Sequence, residues 1–353
     1  LKQIIHIVGN RPQFIKLAVL YKAIAERGIA RQVILHTGQH SSHEMSGIFF
    51  NELALPDPDI RLQIDNTDPD LFTAMVTRQL QQYLSGQKAS TVMIYGDTNT
   101  TRAAAIAAAR TGQNLHHFEA GVRTGNMKVP EEVNRLIADR LSSTHYCCTP
   151  YNLQTLKAEG FGTAIAAHPV FTGDLMLDAY LKIPEKAGFR ANTALYIGCT
   201  IHRAENIQVT ENLKAIIEAL NRIHRQIPVI MPLHPHTQKK IADAGIAIAF
   251  SAIAPLGYPE MKAFIKQAAF VITDSGGVSR EAYFAGRRSL VVMEQPVWPE
   301  IIRAGAGIST ASGTGAILGA FSRLEQLKPD FTSAIFGNGN AAQKVCDHLS
   351  ASL

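Results

Sequence analysis

Acidic side chains recur at the ends of apolar runs in the first half of this chain, in Tyr95-Gly96-Asp97, Phe118-Glu119-Ala120-Gly121 and Pro130-Glu131-Glu132. Carboxylates gathered within a few ångströms resist simultaneous ionisation, so such a set divides into proton donors and proton acceptors. In the second half, His202-Arg203-Ala204-Glu205-Asn206 and Thr273-Asp274-Ser275-Gly276-Gly277 stand at the same kind of strand-to-helix junction. Successive N–H groups of Ser275, Gly276 and Gly277 can surround a phosphate, with a helix N-terminus behind them. His202 suits a phosphate donor or a leaving-group acid, and Glu281, one helical turn along, suits a ribose diol. Acids in one half and an anion-holding turn in the other describe a catalytic site shared between two domains. That division fits an enzyme acting on a sugar attached to a nucleotide diphosphate.

Each motif also has a plain structural use. Gly9-Asn10-Arg11-Pro12-Gln13 follows the first apolar run and offers N–H groups at a helix start, with the five-donor fork of Arg11 and, a turn inside, Lys16. The glycine pattern of a dinucleotide fingerprint is absent, so this loop does not argue for NAD. Asp97 could cap the helix that begins near Thr100. Glu119 could form a structural ion pair with Arg123, four positions on. Glu131 and Glu132 are first-turn acids that complement any helix dipole, and Asn134 and Arg135 could tie a carboxylate in place. His234 and His236 lie among Pro232 and Pro235, which break the helical spacing of a metal site, so no metal is expected.

Short β-branched runs alternate with stretches of helical period, the pattern of βα units around parallel sheets. Strands are expected at 3–8, 32–36, 91–95, 115–118 and 145–149, then at 194–198, 229–231, 247–250, 270–273 and 289–293. Helices are expected at 15–27, 42–52, 70–84, 100–110, 131–141 and 152–159, then at 205–224, 237–244, 258–266, 278–285, 299–304 and 314–326. Pro169 to Asp174 and Pro184 to Asn192 carry the Pro and Gly of a linker, which places the boundary near 170 and divides the chain into a first domain over 1–170 and a second over 171–336. Residues 337–353 read as a last helix that crosses back to the first domain. Ligands of open α/β sheets bind beyond the carboxyl ends of the strands, where most of these polar groups fall, and two sheets with those edges facing would make a deep cleft.

The chain has 353 residues, enough for two hydrophobic cores, with 46% apolar and 18% charged residues. Its 34 Lys and Arg exceed its 29 Asp and Glu, an excess that suits a small anion. No basic block with interleaved aromatics accompanies it, so nucleic acid is not expected. Cys147, Cys148, Cys199 and Cys346 have no zinc-like spacing and imply a reducing compartment. Leu1 to Val8 is too short an apolar run for a secretory leader, and no run is long enough to span a bilayer. The expectation is a cytoplasmic protein.

Taken in order, these motifs resemble the non-hydrolysing UDP-N-acetylglucosamine 2-epimerases and their sugar-nucleotide relatives. The resemblance runs from Val8-Gly9-Asn10-Arg11-Pro12-Gln13-Phe14-Ile15-Lys16 through His36-Thr37-Gly38-Gln39-His40, Gly96-Asp97-Thr98-Asn99, Glu119-Ala120-Gly121-Val122-Arg123 and Pro130-Glu131-Glu132-Val133-Asn134-Arg135. It continues through His202-Arg203-Ala204-Glu205-Asn206 and Asp274-Ser275-Gly276-Gly277 to Gly337-Asn338-Gly339. It implies an α/β glycosyltransferase-B-like fold of two Rossmann-like domains, a homodimer, and no redox cofactor; some members are activated by their own substrate. By the same resemblance Asp97, Glu119, Glu131 and His202 occupy catalytic positions, and Arg11, His234, Ser275, Gly276 and Glu281 occupy nucleotide- or diphosphate-binding ones. Lys16, Arg135, Tyr258 and Gly277 complete the candidate substrate-binding set. The stretch from Met293 to Glu300 departs from the family pattern: Met293 stands in place of an Arg and Val297 in place of a Glu, while Trp298 is similar to the branch acting on diacetamido-uronic sugars.

The chemistry implied is elimination of UDP to a glycal, then re-addition with the proton delivered to the opposite face of C2. A base near C2 and support for the departing diphosphate serve the first step, and an acid on the other face serves the return. Asp97, Glu119 and Glu131 are the groups expected to handle protons, with His202 and Arg11 favouring departure of UDP. Two alternatives stand beside this: a hydrolysing epimerase that releases UDP and free sugar, and a non-catalytic nucleotide-sugar binding protein.

Overall fold

The computed structural model describes residues 2–38, 50–64, 68–88, 90–185, 189, 191 and 193–352. The chain divides into two compact units, Leu1–Ile183 with Ala334–Leu353, and Pro184–Ser333.

The first unit is built on a seven-stranded parallel sheet of order β3-β2-β1-β4-β5-β6-β7. Its strands are β1 (Gln3–Val8), β2 (Arg31–His36), β3 (Ile60–Arg61), β4 (Thr91–Tyr95), β5 (Asn114–Phe118), β6 (Thr144–Cys147) and β7 (His168–Phe171). Helices α1 (Arg11–Arg27), α2 (Pro69–Ser85), α3 (Asn99–Arg110), α4 (Pro130–Leu141), α5 (Pro150–Ala158) and α6 (Leu175–Lys182) fill the crossovers. Most of the helix expected at 42–52 lies outside the described residues. Five alanines of α3, at 103, 104, 105, 107 and 108, are fully buried and let that helix lie close to the sheet and to α2 and α4. Gly9, at the end of β1, has no room for a Cβ, which would run into the side chains of Thr37 and Thr100. Those two hydroxyls bond each other at 2.7 Å across the turn.

The strand β7 and the helix α6 of this unit were not expected from the sequence. Both belong to it, so it extends to 183 rather than 170: β7 pairs in parallel with β6, from Thr144↔His168 to Cys147↔Phe171. The terminal helix Ala341–Ser352 packs on α1 and α6. Buried Asp178 of α6 accepts the first N–H groups of that helix, from Ala341 at 2.9 Å and Ala342 at 3.0 Å, a trans cap on its positive end.

The second unit repeats the plan as a six-stranded parallel sheet of order β10-β9-β8-β11-β12-β13. The strands are β8 (Ile197–Thr200), β9 (Val229–Pro232), β10 (Ser251–Ile253), β11 (Phe270–Thr273), β12 (Ser289–Val292) and β13 (Gly307–Thr310). The helices are α7 (Ala204–Ile207), α8 (Thr210–His224), α9 (Pro235–Asp243), α10 (Tyr258–Gln267), α11 (Gly276–Phe284), α12 (Pro299–Arg303) and α13 (Thr314–Leu324). The single helix expected over 205–224 is two, because extended backbone at Val209 separates the one-turn α7 from α8. The strand expected at 247–250 falls at 251–253, where Ser251 meets Ile230 in register on β9. No described helix is long and apolar enough to cross a membrane.

Deep in the first sheet, His6 of β1 is fully buried between the Tyr95 hydroxyl at 2.7 Å and the Gln32 side-chain oxygen at 3.0 Å. Burial lowers its pKa from 6.5 to about 4, against the opposing pull of the Gln32 hydrogen bond. The unfolded chain takes up this proton near 6.5 and the folded chain only near 4, so stability present above that window is lost as pH falls through it. The loss from this one ring is about 3 kcal/mol. Urea midpoints compared near neutrality and near pH 4 should show a smaller fall in His6→Gln than in the parent, by about that amount; equal falls would refute the assignment.

Candidate functional site

In the first unit, Asp97 follows β4 and Glu119 follows the neighbouring β5, at the carboxyl edge of the sheet beside the point where strand order reverses. Glu119 is one of two described non-glycine residues with positive φ, at +67°. Its left-handed backbone carries strain of order 1 kcal/mol or more, a cost kept mainly at functional positions. The ammonium of Lys16, buried on α1, pairs with its carboxylate. Asp97 pairs in the same way with the buried guanidinium of Arg135 on α4, and its backbone oxygen accepts from Asn134 at 2.9 Å.

Thr98, not Asp97, caps α3: its hydroxyl accepts from the Thr101 N–H. Asp97 is thereby left to Arg135. Arg135 also reaches Glu132 at 2.9 Å, and Glu132 accepts from the N–H groups of Thr124 and Gly125 at 2.9 Å. Burial works to raise the Glu132 pKa, but those backbone bonds outweigh it and hold the group below its ordinary range. Of the adjacent acids, Glu132 is therefore a structural anchor, while Glu131 lies in the first turn of α4. Arg123 does not serve Glu119. It pairs with Asp139 at 2.6 Å and Glu159 at 2.8 Å, because wholly buried Asp139 demands a cation. Arg11 heads α1, and Gln13 ties that turn to β4, accepting from the Gly9 N–H at 2.7 Å and donating to the Tyr95 carbonyl at 2.8 Å.

In the second unit the turn after β11 meets the turn after its neighbour β8. Asp274 is fully buried and points its carboxylate inward, accepting from the N–H groups of His202 at 3.1 Å and Arg203 at 2.9 Å and from Asn206 at 3.0 Å. His202 Nδ1 lies 3.0 Å from the same carboxylate, while 57% of that side chain is exposed. Burial would raise the Asp274 pKa, but His202, Asn206 and the Arg203 N–H together lower it. Ser275 caps α11 through Val278 N–H at 3.3 Å, and Gly276 and Gly277 form the first turn, whose N–H groups lack intrahelical acceptors. His234 is exposed at the cap of α9, Tyr258 is buried at the start of α10, and Glu281 is buried on α11.

The departing segment braces this turn. The Trp298 indole donates to the Gly276 carbonyl at 3.0 Å, and the buried Arg280 guanidinium lies over the indole at 4.5 Å. A Cβ on Gly276 would meet Val297 Cβ and Cγ2 at 3.1 Å. The roles of Asp139, Asp274, Gln13 and Trp298 were not read from the sequence. One signal was present: Glu132, Arg135 and Asp139 are spaced to share one helix face, a charged stripe where a core face belongs. Among the described residues no cluster of three or more His, Cys, Asp or Glu could hold a metal ion.

Two Rossmann-like units, one carrying paired acids and the other a glycine turn at a helix start, define a glycosyltransferase-B-like enzyme of nucleotide sugars. The chain belongs to the UDP-N-acetylglucosamine 2-epimerase family, whose sequence profile matches residues 22–350. It is 36% identical over 353 residues to the UDP-2,3-diacetamido-2,3-dideoxy-D-glucuronate 2-epimerase of Pseudomonas aeruginosa, covering 99% of each chain. It is 31% identical to the UDP-N-acetylglucosamine 2-epimerase of Methanocaldococcus jannaschii, over 96% of each. Among solved structures, the M. jannaschii UDP-GlcNAc 2-epimerase in complex with UDP-GlcNAc and UDP is similar at a TM-score of 0.90, with 29% identity and 99% of both chains covered. The Neisseria meningitidis UDP-GlcNAc 2-epimerase bound to UDP-GlcNAc is similar at 0.86, with 26% identity, covering 98% of this chain and 99% of that one. The protein is thus an isomerase of the 2-epimerase type.

The Gly276–Val297 contact generates a test. Gly276→Ala should destabilise the second unit by about 1–3 kcal/mol through overpacking, and Val297→Ala in the same chain, which removes Cγ1 and Cγ2 but keeps Cβ, should recover part of it. Urea unfolding followed by the fluorescence of Trp298, the only tryptophan, reads both. A double variant no more stable than Gly276→Ala would remove this contact as the cause.

Proposed function

We propose that this chain is a non-hydrolysing 2-epimerase that inverts C2 of a UDP-2-acetamido sugar, with a 2,3-diacetamido uronic acid as the favoured hexose. The observation that carries the reaction is the pair of adjacent strand-end acids, Asp97 and Glu119, each matched to its own buried cation. The hexose rests on the P. aeruginosa relative, and on Met293 and Val297 standing where polar groups are usual.

In this reading one carboxylate of the first unit takes the C2 proton while the C1–O bond to the diphosphate breaks, leaving a glycal. UDP then returns to C1, and an acid delivers a proton to C2 from the other face. Asp97, Glu119 and Glu131 share these transfers, with Lys16 and Arg135 balancing their charge. Arg11, the Gly276 and Gly277 N–H groups and His202 receive the negative charge of the departing UDP, with Ser275 capping the helix behind them. Asp274 on Nδ1 fixes the orientation of His202, leaving Nε2 for the phosphate. His234, Tyr258 and Glu281 complete the nucleotide site. The same reading carries a homodimer, measurable by light scattering, and a cytoplasmic setting.

Incubating UDP-sugars that differ at C3 and C6 in deuterated water, followed by NMR, tests the whole. Deuterium should enter C2 with the nucleotide sugar retained, and fastest for the 3-acetamido uronate. Stoichiometric free UDP would instead identify a hydrolysing enzyme, and binding without exchange a non-catalytic protein. Glu119→Gln should lower C2 exchange about 100-fold while UDP affinity by calorimetry stays within about twofold. Undiminished exchange would remove Glu119 from the chemistry.

A further inference from the structure

One buried carboxylate holds both ends of the turn that carries Glu119. Asp139 of α4 receives His117 Nδ1 at 2.7 Å on one oxygen and the Gly121 N–H at 3.1 Å on the other. These donors lie two residues before and two after Glu119, whose φ of +67° is thus enclosed in a loop closed by a single acid. The other ring nitrogen of His117, Nε2, lies 2.8 Å from the carbonyl oxygen of Gly96. Gly96, at φ +65°, turns the chain out of β4 immediately before Asp97. The chain of contacts therefore joins the two acids: Glu119 through its closed turn to Asp139, and Asp139 through His117 to the residue preceding Asp97.

The donor count fixes the charge of the ring. A carbonyl oxygen only accepts, and an ionised carboxylate only accepts. Asp139 accepts from the Arg123 guanidinium at 2.6 Å and from the Gly121 N–H at 3.1 Å, a set of donors that fits the ionised acid. With acceptors at both Nδ1 and Nε2, each nitrogen of His117 must carry a proton. The cluster then balances: the imidazolium and the Arg123 guanidinium face the carboxylates of Asp139 and Glu159. Both His117 and Asp139 are fully buried, where an unbalanced charge would not be tolerated.

We propose that His117 is a buried imidazolium and that it acts with Asp139 as a pair of positioning residues, fixing Asp97 and Glu119 relative to one another. Neither touches substrate. The role rests on the reading that those two acids carry the C2 chemistry.

Long-range proton–nitrogen NMR on the intact protein, with the His117 signals assigned by their loss in His117→Gln, reads the ring directly. Both nitrogens should show imidazolium shifts at neutral pH; a single unprotonated nitrogen overturns the proposal. In Asp139→Asn, the rate constant for C2 exchange should fall about 100-fold, the scale of a small misplacement of reacting groups, with KM and UDP affinity within about twofold. An unchanged rate constant overturns the positioning role. Loss of UDP affinity alongside the rate also overturns it, because that marks a general scaffold. If Asp139→Asn does not fold, His117→Gln under the same measurements decides. A parent protein that exchanges no C2 proton in any UDP-2-acetamido sugar overturns the parent reading and the positioning role with it, while the spectrum still decides the charge of His117.

Discussion

A carboxylate can stand at the dry end of a parallel strand only if a cation is buried there with it, because desolvating a lone charge costs several kcal/mol. Much of the first unit's local structure follows from that constraint. Lys16 is buried on α1 although lysine is among the residues least often found inside, and its partner is the acid that ends β5. Arg135 is equally buried and divides its guanidinium between Asp97 and Glu132. Each cation is set by a helix packed beside the sheet, so the acids are placed by tertiary packing as much as by their own strands. Removing either cation would leave an uncompensated buried charge rather than a vacant contact.

The two sheets share one strand order up to their sixth strands, so β1 corresponds to β8 and β4 to β11. Asp97 and Asp274 therefore follow corresponding strands, with opposite uses. Asp97 keeps about a quarter of its side chain exposed and faces a cation, whereas Asp274 is fully enclosed and collects N–H groups from the turn after β8. Turning that acid inward removes negative charge from the sheet edge and leaves the Gly276 and Gly277 N–H groups to face it, the Ser275 N–H being donated to the Thr273 hydroxyl at 3.0 Å. One topology thus provides an edge that presents a cation-paired carboxylate in one unit and an edge that presents backbone N–H groups in the other.

Strong periodicity made most of the sheet legible. β1, β4 and β11 fall where alternating or wholly apolar runs placed them, and the helix starts carry Pro or hydroxyl caps that sequence shows directly. The edges were not legible: β3 has two residues and β13 takes its place from the ladder with β12 rather than from its own apolar pattern. The helix α6 was not expected because it is short and lies between two Pro- and Gly-containing stretches, although Asp174 caps it. In the site, residue types were readable but partners were not. Arg123 was the near neighbour of Glu119 in sequence, yet the acid's left-handed backbone and the demand of Asp139 gave Glu119 to Lys16, 103 residues away. Sequence distance ranks charge partners poorly wherever burial decides the pairing.

The stretch from Met293 to Trp298 is tied to the glycine turn of the second unit. Val297 fills the space left by the missing side chain of Gly276, and Trp298 holds the carbonyl of the same glycine with Arg280 stacked on its ring. These apolar residues therefore support the anion turn instead of offering charge to a ligand. The acids of the first unit and the N–H groups of α11 depend on none of the polar groups usual in that stretch. Any change at 297 or 298 is constrained by the packing and the hydrogen bond that these residues make with Gly276.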